Sequence, residues 1–143
     1  MYHSSPVEIK EIKSGLYGPG LFFASSVCKS GAFVYELDAD EIKSCSANHL
    51  RYEFDDTETE VVAFAEKWEI DSETAFDIIT EKENSYDHIE DGLSAGYAGW
   101  EAQKIALVLA MRAGFEAVGL TDENGGVMLV DGNAAMKKWR LVE

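Results

Sequence analysis

Apolar residues along this chain alternate near its two ends and recur every three or four residues in its middle. These are the periods of strands and helices respectively. Met1–His3 reads as a short strand, followed by a turn at Ser4-Ser5-Pro6. In Val7–Lys13, Val7 and Ile9 share a side and Ile12 falls out of phase, which predicts an extended connection. Leu21–Ser25 and Ala32–Leu37 read as strands, Asp38–Lys43 as a turn, and Ser26–Gly31 is too short for much of a helix. Within Glu58–Glu69, Val61, Phe64, Ala65 and Trp68 fall at helical spacing. Asp71-Ser72 can cap a second helix with Ala75, Phe76 and Ile79 inward. Asn84–Ser94 is polar and predicts a loop broken by Gly92.

Gly99–Gly114 carries the strongest helix signal, with Trp100 and Glu101 at its start and Gly114 at the C-cap. Its apolar surface is broad, so it is expected to cross the core. Phe115–Leu120 and Val127–Val130 read as strands around an Asp122–Gly126 turn that contains Asn-Gly, a hairpin signal. Lys137–Val142 reads as a last edge strand. The order predicts one α+β domain over residues 1–143, with strands at both ends and helices in the middle. A length of 143 residues suits one domain with a real core and is short for two.

Charge changes this picture. The chain has 27 acidic residues against 12 basic ones, a net charge of −15. That disfavours direct binding to nucleic acid or to an anionic membrane, and favours solubility or a basic protein partner. Glu53–Asp91 holds about 13 of the net negative charges. A solvated face and a partner-binding surface fit that stretch equally. No apolar run is long enough to span a membrane and no signal segment opens the chain, so it reads as soluble and cytoplasmic. Cys28 and Cys45 read as free thiols, and His3, His49 and His88 make no zinc signature, so no metal is expected.

The stretch Gly15–Ser26 is the first candidate for chemistry. Gly15, Gly18 and Gly20 with Pro19 make a turn that lets backbone approach closely, and Leu21-Phe22-Phe23-Ala24 follows at once. Such a loop can form one wall of a cleft; an ordinary turn before a core strand fits the same residues. A Rossmann site is excluded, because Gly18-Pro19-Gly20 precedes a strand and the third glycine is missing. No P-loop is present.

Three pieces together resemble the mono-ADP-ribosyltransferase fold, a split sheet. They are Tyr2-His3-Ser4-Ser5, Gly18–Ser25, and the run from Gly99-Trp100-Glu101 through Ala113-Gly114-Phe115 to Asp122-Glu123-Asn124-Gly125. Within that family the chain resembles phage anti-CRISPR ADP-ribosyltransferases that disable a type I-F surveillance complex. The resemblance covers the two ends of the chain more closely than its acidic middle.

The resemblance implies NAD as substrate. It implies that His3 contacts a ribose, that Ser4 and Ser5 lie beside the nicotinamide, and that Gly20, Leu21, Phe22 and Phe23 border its pocket. Phe22 or Phe23 would supply an aromatic wall, and Asp122 would be the catalytic acid. Several residues depart from the family pattern: Ser4 follows the histidine where Gly is usual, Asp122 stands where Glu is usual, and Leu120 stands two residues before it. Arginine-modifying members carry an acid at that last position. Glu123 is the alternative acid, but successive strand residues face opposite sides. Tyr17, Phe22, Phe23 and Tyr35 are the candidates for stacking on the nicotinamide. The bland alternatives are a polar strand-end role for His3 and a hairpin-shaping role for Asp122.

The expected function is therefore NAD-dependent mono-ADP-ribosylation of a basic protein, a subunit of a type I-F CRISPR surveillance complex in the bacterial cytoplasm. Two rivals are a transferase toxin with another host target, and a non-catalytic acidic mimic of nucleic acid. The second would rely on acids such as Asp55, Asp56, Glu58 and Glu60.

Overall fold

Short runs of alternating apolar residues at the two ends of the chain come together as one sheet, and the helical middle packs across it. The computed structural model describes residues 1–5, 8–10, 20–24, 33–122 and 125–142. Its strands are β1 (Tyr2–Ser5), β2 (Gly20–Ala24), β3 (Phe33–Glu36), β4 (Ser44–Ser46), β5 (Ala117–Asp122), β6 (Gly125–Asp131) and β7 (Arg140–Leu141). Its helices are α1 (Leu50–Glu53), α2 (Thr59–Trp68), α3 (Ser72–Ile79), α4 (Gly92–Arg112) and α5 (Gly132–Lys138). The strands form a seven-stranded sheet in the order β4-β5-β6-β2-β1-β3-β7. The β4–β5 pair is parallel and the other neighbours are antiparallel. This is the α+β arrangement that the sequence predicts, with α1 to α4 lying between β4 and β5 in the chain.

Strand alternation sorts the core into two faces. Phe22, Val118, Leu120 and Leu129 face α2, α3 and α4, where they meet Phe64, Ile79, Leu107 and Leu109. Leu21, Phe23, Met128 and Val130 face the other side, with Leu37, Ala135 and Trp139. Gly20 lies beneath the Leu107 side chain of α4 and beside Leu129 of β6. A Cβ there would come within 2.7 Å of Leu107 Cδ2 and 2.9 Å of Leu129 Cδ1, so a larger residue would force those leucine tips to shift. Ala95, Ala98, Ala102, Ala106 and Ala110 are buried along the same helix, and such small side chains let it cross the sheet closely.

Several boundaries differ from expectation. The long helix starts at Gly92 rather than Gly99, so Gly92 opens α4 instead of breaking a loop. Packing overrides propensity here. A Cβ on Gly96 would sit 3.2 Å from the Tyr86 hydroxyl, and one on Gly99 would sit 3.3 Å from Ser85 Oγ. Glycine at both positions lets α4 lie close against the turn at Ser85–Asp87. Trp100 and Glu101 therefore stand mid-helix, and Glu101 pairs with Lys67 of α2 at 2.8 Å instead of serving a helix start.

Ser4 and Ser5 continue β1, paired with Val34 and Phe33, where a turn was expected. Residues 132–138 form α5, so only Arg140–Leu141 of the expected last strand is a strand, at the sheet edge beside β3. Neither β4 nor α1 was expected, since each is too short to show a period. Asp122 pairs with Gly125, so the hairpin strands run further into the turn than expected. Glu123 and Asn124, the Gly15–Pro19 turn, Ser26–Gly31 and Cys28 lie outside the described residues. Cys45 is a free thiol.

Leu129 is fully buried between the sheet and α4. Leu129→Ala is expected to destabilise the fold by about 2–5 kcal/mol, read as a lower urea midpoint with an unchanged slope.

Candidate active site

Two adjacent strands part at the N-terminus, and a histidine side chain spans the gap. Among the described residues β1 and β2 share one ladder pair, Tyr2 with Ala24. Beyond it, His3 Nδ1 lies 2.8 Å from the Phe22 carbonyl oxygen. A carbonyl can only accept, so Nδ1 carries the proton and donates. In the neutral ring this leaves Nε2 as an acceptor. The His3 ring also tilts against Phe23, with centroids 5.6 Å apart. On its other side β1 is held in register by β3, with His3 opposite Tyr35. Next along β1, Ser4 Oγ is buried with no hydrogen-bond partner among the described residues. A buried hydroxyl without a partner is unusual and calls for a ligand or water.

A cleft of about 1260 Å³ opens where the strands part. That exceeds the roughly 300–1,000 Å³ of common small-molecule sites. One wall is Tyr2, His3, Ser4 and the Phe22–Ala24 stretch. The facing wall is the Ile78–Asp87 segment together with Gly96, Gly99, Trp100 and Gln103 of α4, and Leu120, Thr121 and Val127 close the sheet side. The second wall is the part that sequence reasoning missed. Its available signal was the Gly96–Gly99 spacing followed by Ala102, small residues along one face of a helix.

Acids dominate the charge in the cleft: Glu81, Glu83 and Asp87 line it with Lys82. Glu81 Oε2 accepts the Thr121 amide at 2.9 Å. Partial burial holds the Glu81 carboxyl above its usual pKa, and that hydrogen bond offsets the rise only in part. The cleft thus offers carboxylates to a cation, aromatic side chains at Phe22, Tyr86 and Trp100 to a planar ring, and a free hydroxyl and a ring nitrogen to sugar hydroxyls.

The residues picked out from sequence divide. His3, Ser4, Phe22 and Phe23 come together on one wall. Phe22 is half-buried there, while Phe23 is 1 % exposed and packs into the opposite core face against Trp139. Ser5, Gly20 and Leu21 do not line the cleft. Ser5 is buried, Gly20 sits beneath α4, and Leu21 points to the face opposite Phe22 by strand alternation. Tyr35 stacks on Trp139 at 4.1 Å, and its hydroxyl accepts the Ile9 amide, so it is committed to the core. Tyr17 lies outside the described residues. Asp122 is described in its backbone alone, as the last residue of β5, directly after the cleft-lining Thr121. Among the described residues no cluster of three or more His, Cys, Asp or Glu is placed to hold a metal, and no helix is long and apolar enough to cross a membrane.

A mixed sheet split at its centre, with a nucleotide-sized cleft at the split, is an ADP-ribosyltransferase-like fold. The chain belongs to the anti-CRISPR type I-F ADP-ribosyltransferase AcrIF11 family, whose sequence profile matches residues 5–138. It is also similar to a solved structure described as the crystal structure of an anti-CRISPR protein. The two are 27% identical with a TM-score of 0.60, over 90% of this chain and 86% of that chain. No curated protein matches the chain.

Because the Ser4 hydroxyl is buried with no partner among the described residues, Ser4→Ala is expected to stabilise the free protein, by about 1 kcal/mol. A rise in thermal midpoint would show this, and a fall would show that Ser4 is satisfied within the fold.

Proposed function

We propose that this protein transfers ADP-ribose from NAD to a protein of a type I-F CRISPR surveillance complex, inside the bacterial host of a phage. The observation that carries the reading is the parted strand pair, with His3 bridging the gap and the unsatisfied Ser4 hydroxyl beside it. The cleft is large enough for a dinucleotide, and its free acceptor and donor suit ribose and amide groups. His3 Nε2 would accept from a ribose hydroxyl, Ser4 and the neighbouring backbone would hold the carboxamide, and Phe22 would stack on the nicotinamide.

The chemistry asks little more. Leaving of nicotinamide builds positive charge on the ribose, and a carboxylate fixed nearby stabilises that charge. Asp122 is the proposed acid. Its position follows Thr121 directly on β5. Holding the acceptor near C1′ supplies much of the remaining acceleration.

The acidic middle fits recognition of a basic target better than mimicry of nucleic acid. Arg112 bonds both Glu58 and Glu60, Asp55 holds the Thr57 amide at 2.9 Å, and Asp56 accepts from Ser72 Oγ at 3.2 Å. Acids tied up in this way are poorly arranged as a row of phosphate mimics, while their summed charge still acts at a distance.

Intact-mass analysis of a type I-F complex, incubated with this protein and NAD, is expected to show the gain of one ADP-ribose on one subunit. Asp122→Ala is expected to lower the rate about 100-fold or more. Stable binding without any mass change would point to the mimic, and modification of a different host protein would point to a toxin. Association with the target is expected to slow about tenfold or more between low and high salt. A rate indifferent to salt would remove electrostatic steering from the account.

A further inference from the structure

Glu81 occupies a backbone position that normally belongs to glycine. Helix α3 ends in a paired closure: the Glu81 amide donates to Ile78 O at 3.2 Å and the Lys82 amide to Asp77 O at 2.8 Å. In that closure the residue after the C-cap turns left-handed, and Glu81 has φ 63°. Glycine adopts this conformation freely, whereas a residue with a Cβ is strained there. Strain of this kind concentrates where a side chain has work to do in a site.

The Glu81 side chain reaches the end of β5. The last β5 residue paired with β4 is Gly119, so β4 offers Thr121 no partner, and Glu81 Oε2 takes the Thr121 amide at 2.9 Å. Glu81 lines the cleft, and the amide it holds belongs to Thr121, the residue before Asp122 on β5. Leu120, which also precedes Asp122, is buried and has no group that could accept a proton. Glu69 provides an internal comparison. It ends α2 with φ 57°, yet its carboxylate has no partner among the described residues and does not line the cleft.

We infer that Glu81 is the base that takes the proton from the attacking group of the target protein. This rests on the transferase reading above. The bond from ribose C1′ to the nicotinamide nitrogen breaks, and its electron pair leaves with neutral nicotinamide. A lone pair of the target's side chain forms the new bond to C1′. The N–H or O–H proton released from that side chain passes to the Glu81 carboxylate. Asp122, as proposed above, is left to stabilise the charge on the ribose, so the two carboxylates divide the labour. The raised pKa of Glu81 agrees with this, since a base works best when its pKa approaches the working pH.

The test compares Glu81→Gln, Glu81→Gly and Glu69→Gly with the unaltered protein in four readouts: thermal midpoint, NAD affinity, transfer rate and pH–rate profile. Glu81→Gln keeps an acceptor for the Thr121 amide and removes only the base. It is expected to melt no lower, to bind NAD within about threefold of the unaltered protein, and to transfer about 10²–10⁴-fold more slowly. The acidic limb of its profile, above the ordinary carboxylate range, should vanish. Glu81→Gly should match it in transfer, with relief of the left-handed position offsetting the lost Thr121 hydrogen bond in its melting point. Glu69→Gly should melt no lower and transfer normally. Normal transfer by Glu81→Gln would overturn the inference, as would a lowered melting point or lost NAD binding in both Glu81 variants. No transfer by the unaltered protein would overturn the inference together with the reading it rests on.

Discussion

The separation of β1 from β2 is the constraint on which the rest of the molecule depends. Two antiparallel strands that begin as neighbours would ordinarily zip together, since unpaired backbone groups are costly to bury. Here the ladder holds one pair among the described residues, and the His3 imidazole then supplies the Phe22 carbonyl with a donor. The gap is thereby kept open without leaving that carbonyl empty. β3 and β6 hold the outer edges of the two strands, so the opening is a fixed feature of the sheet.

The opposite wall is set by small residues. α4 can lie against the Ser85–Asp87 turn because Gly96 and Gly99 present no side chain, and Ser85 Oγ donates to the Ala95 carbonyl at 2.8 Å. That contact holds the acidic Glu81–Asp87 segment across from His3. Glu81 then ties the segment to the tip of β5 through the Thr121 amide. A strand pair, a glycine-faced helix and a helix-end turn thus converge on one cleft, and each is held by hydrogen bonds that the sheet alone would not have provided.

Much of this was legible in the sequence where a period could repeat. The Val61–Trp68 helical spacing, the Asp71 cap, the Gly114 stop and the β5–β6 hairpin all appear where the pattern places them. His3, Ser4 and Phe22, which the resemblance to a family singles out, stand together on one wall of the cleft. The facing wall was not legible. Gly92, Gly96 and Gly99 weaken a helix by propensity, so a reading without tertiary contacts stops the helix short. Glu81 could not be found either, because its place at a left-handed turn and its reach to Thr121 join residues 40 positions apart. Ser5, Gly20 and Leu21 stand beside site residues in sequence, but Ser5 is buried, Gly20 lies against Leu107 and Leu129, and strand alternation turns Leu21 to the face opposite Phe22.

The account stands or falls on where the dinucleotide lies. Its most direct test is a crystal structure of this protein with NAD bound. We expect NAD in the opening between β1 and β2, with the nicotinamide ribose on His3 Nε2, the Ser4 hydroxyl partnered by the ligand, and the His3–Phe22 hydrogen bond intact. NAD seated elsewhere, or β1 and β2 zipped together through His3, would contradict it.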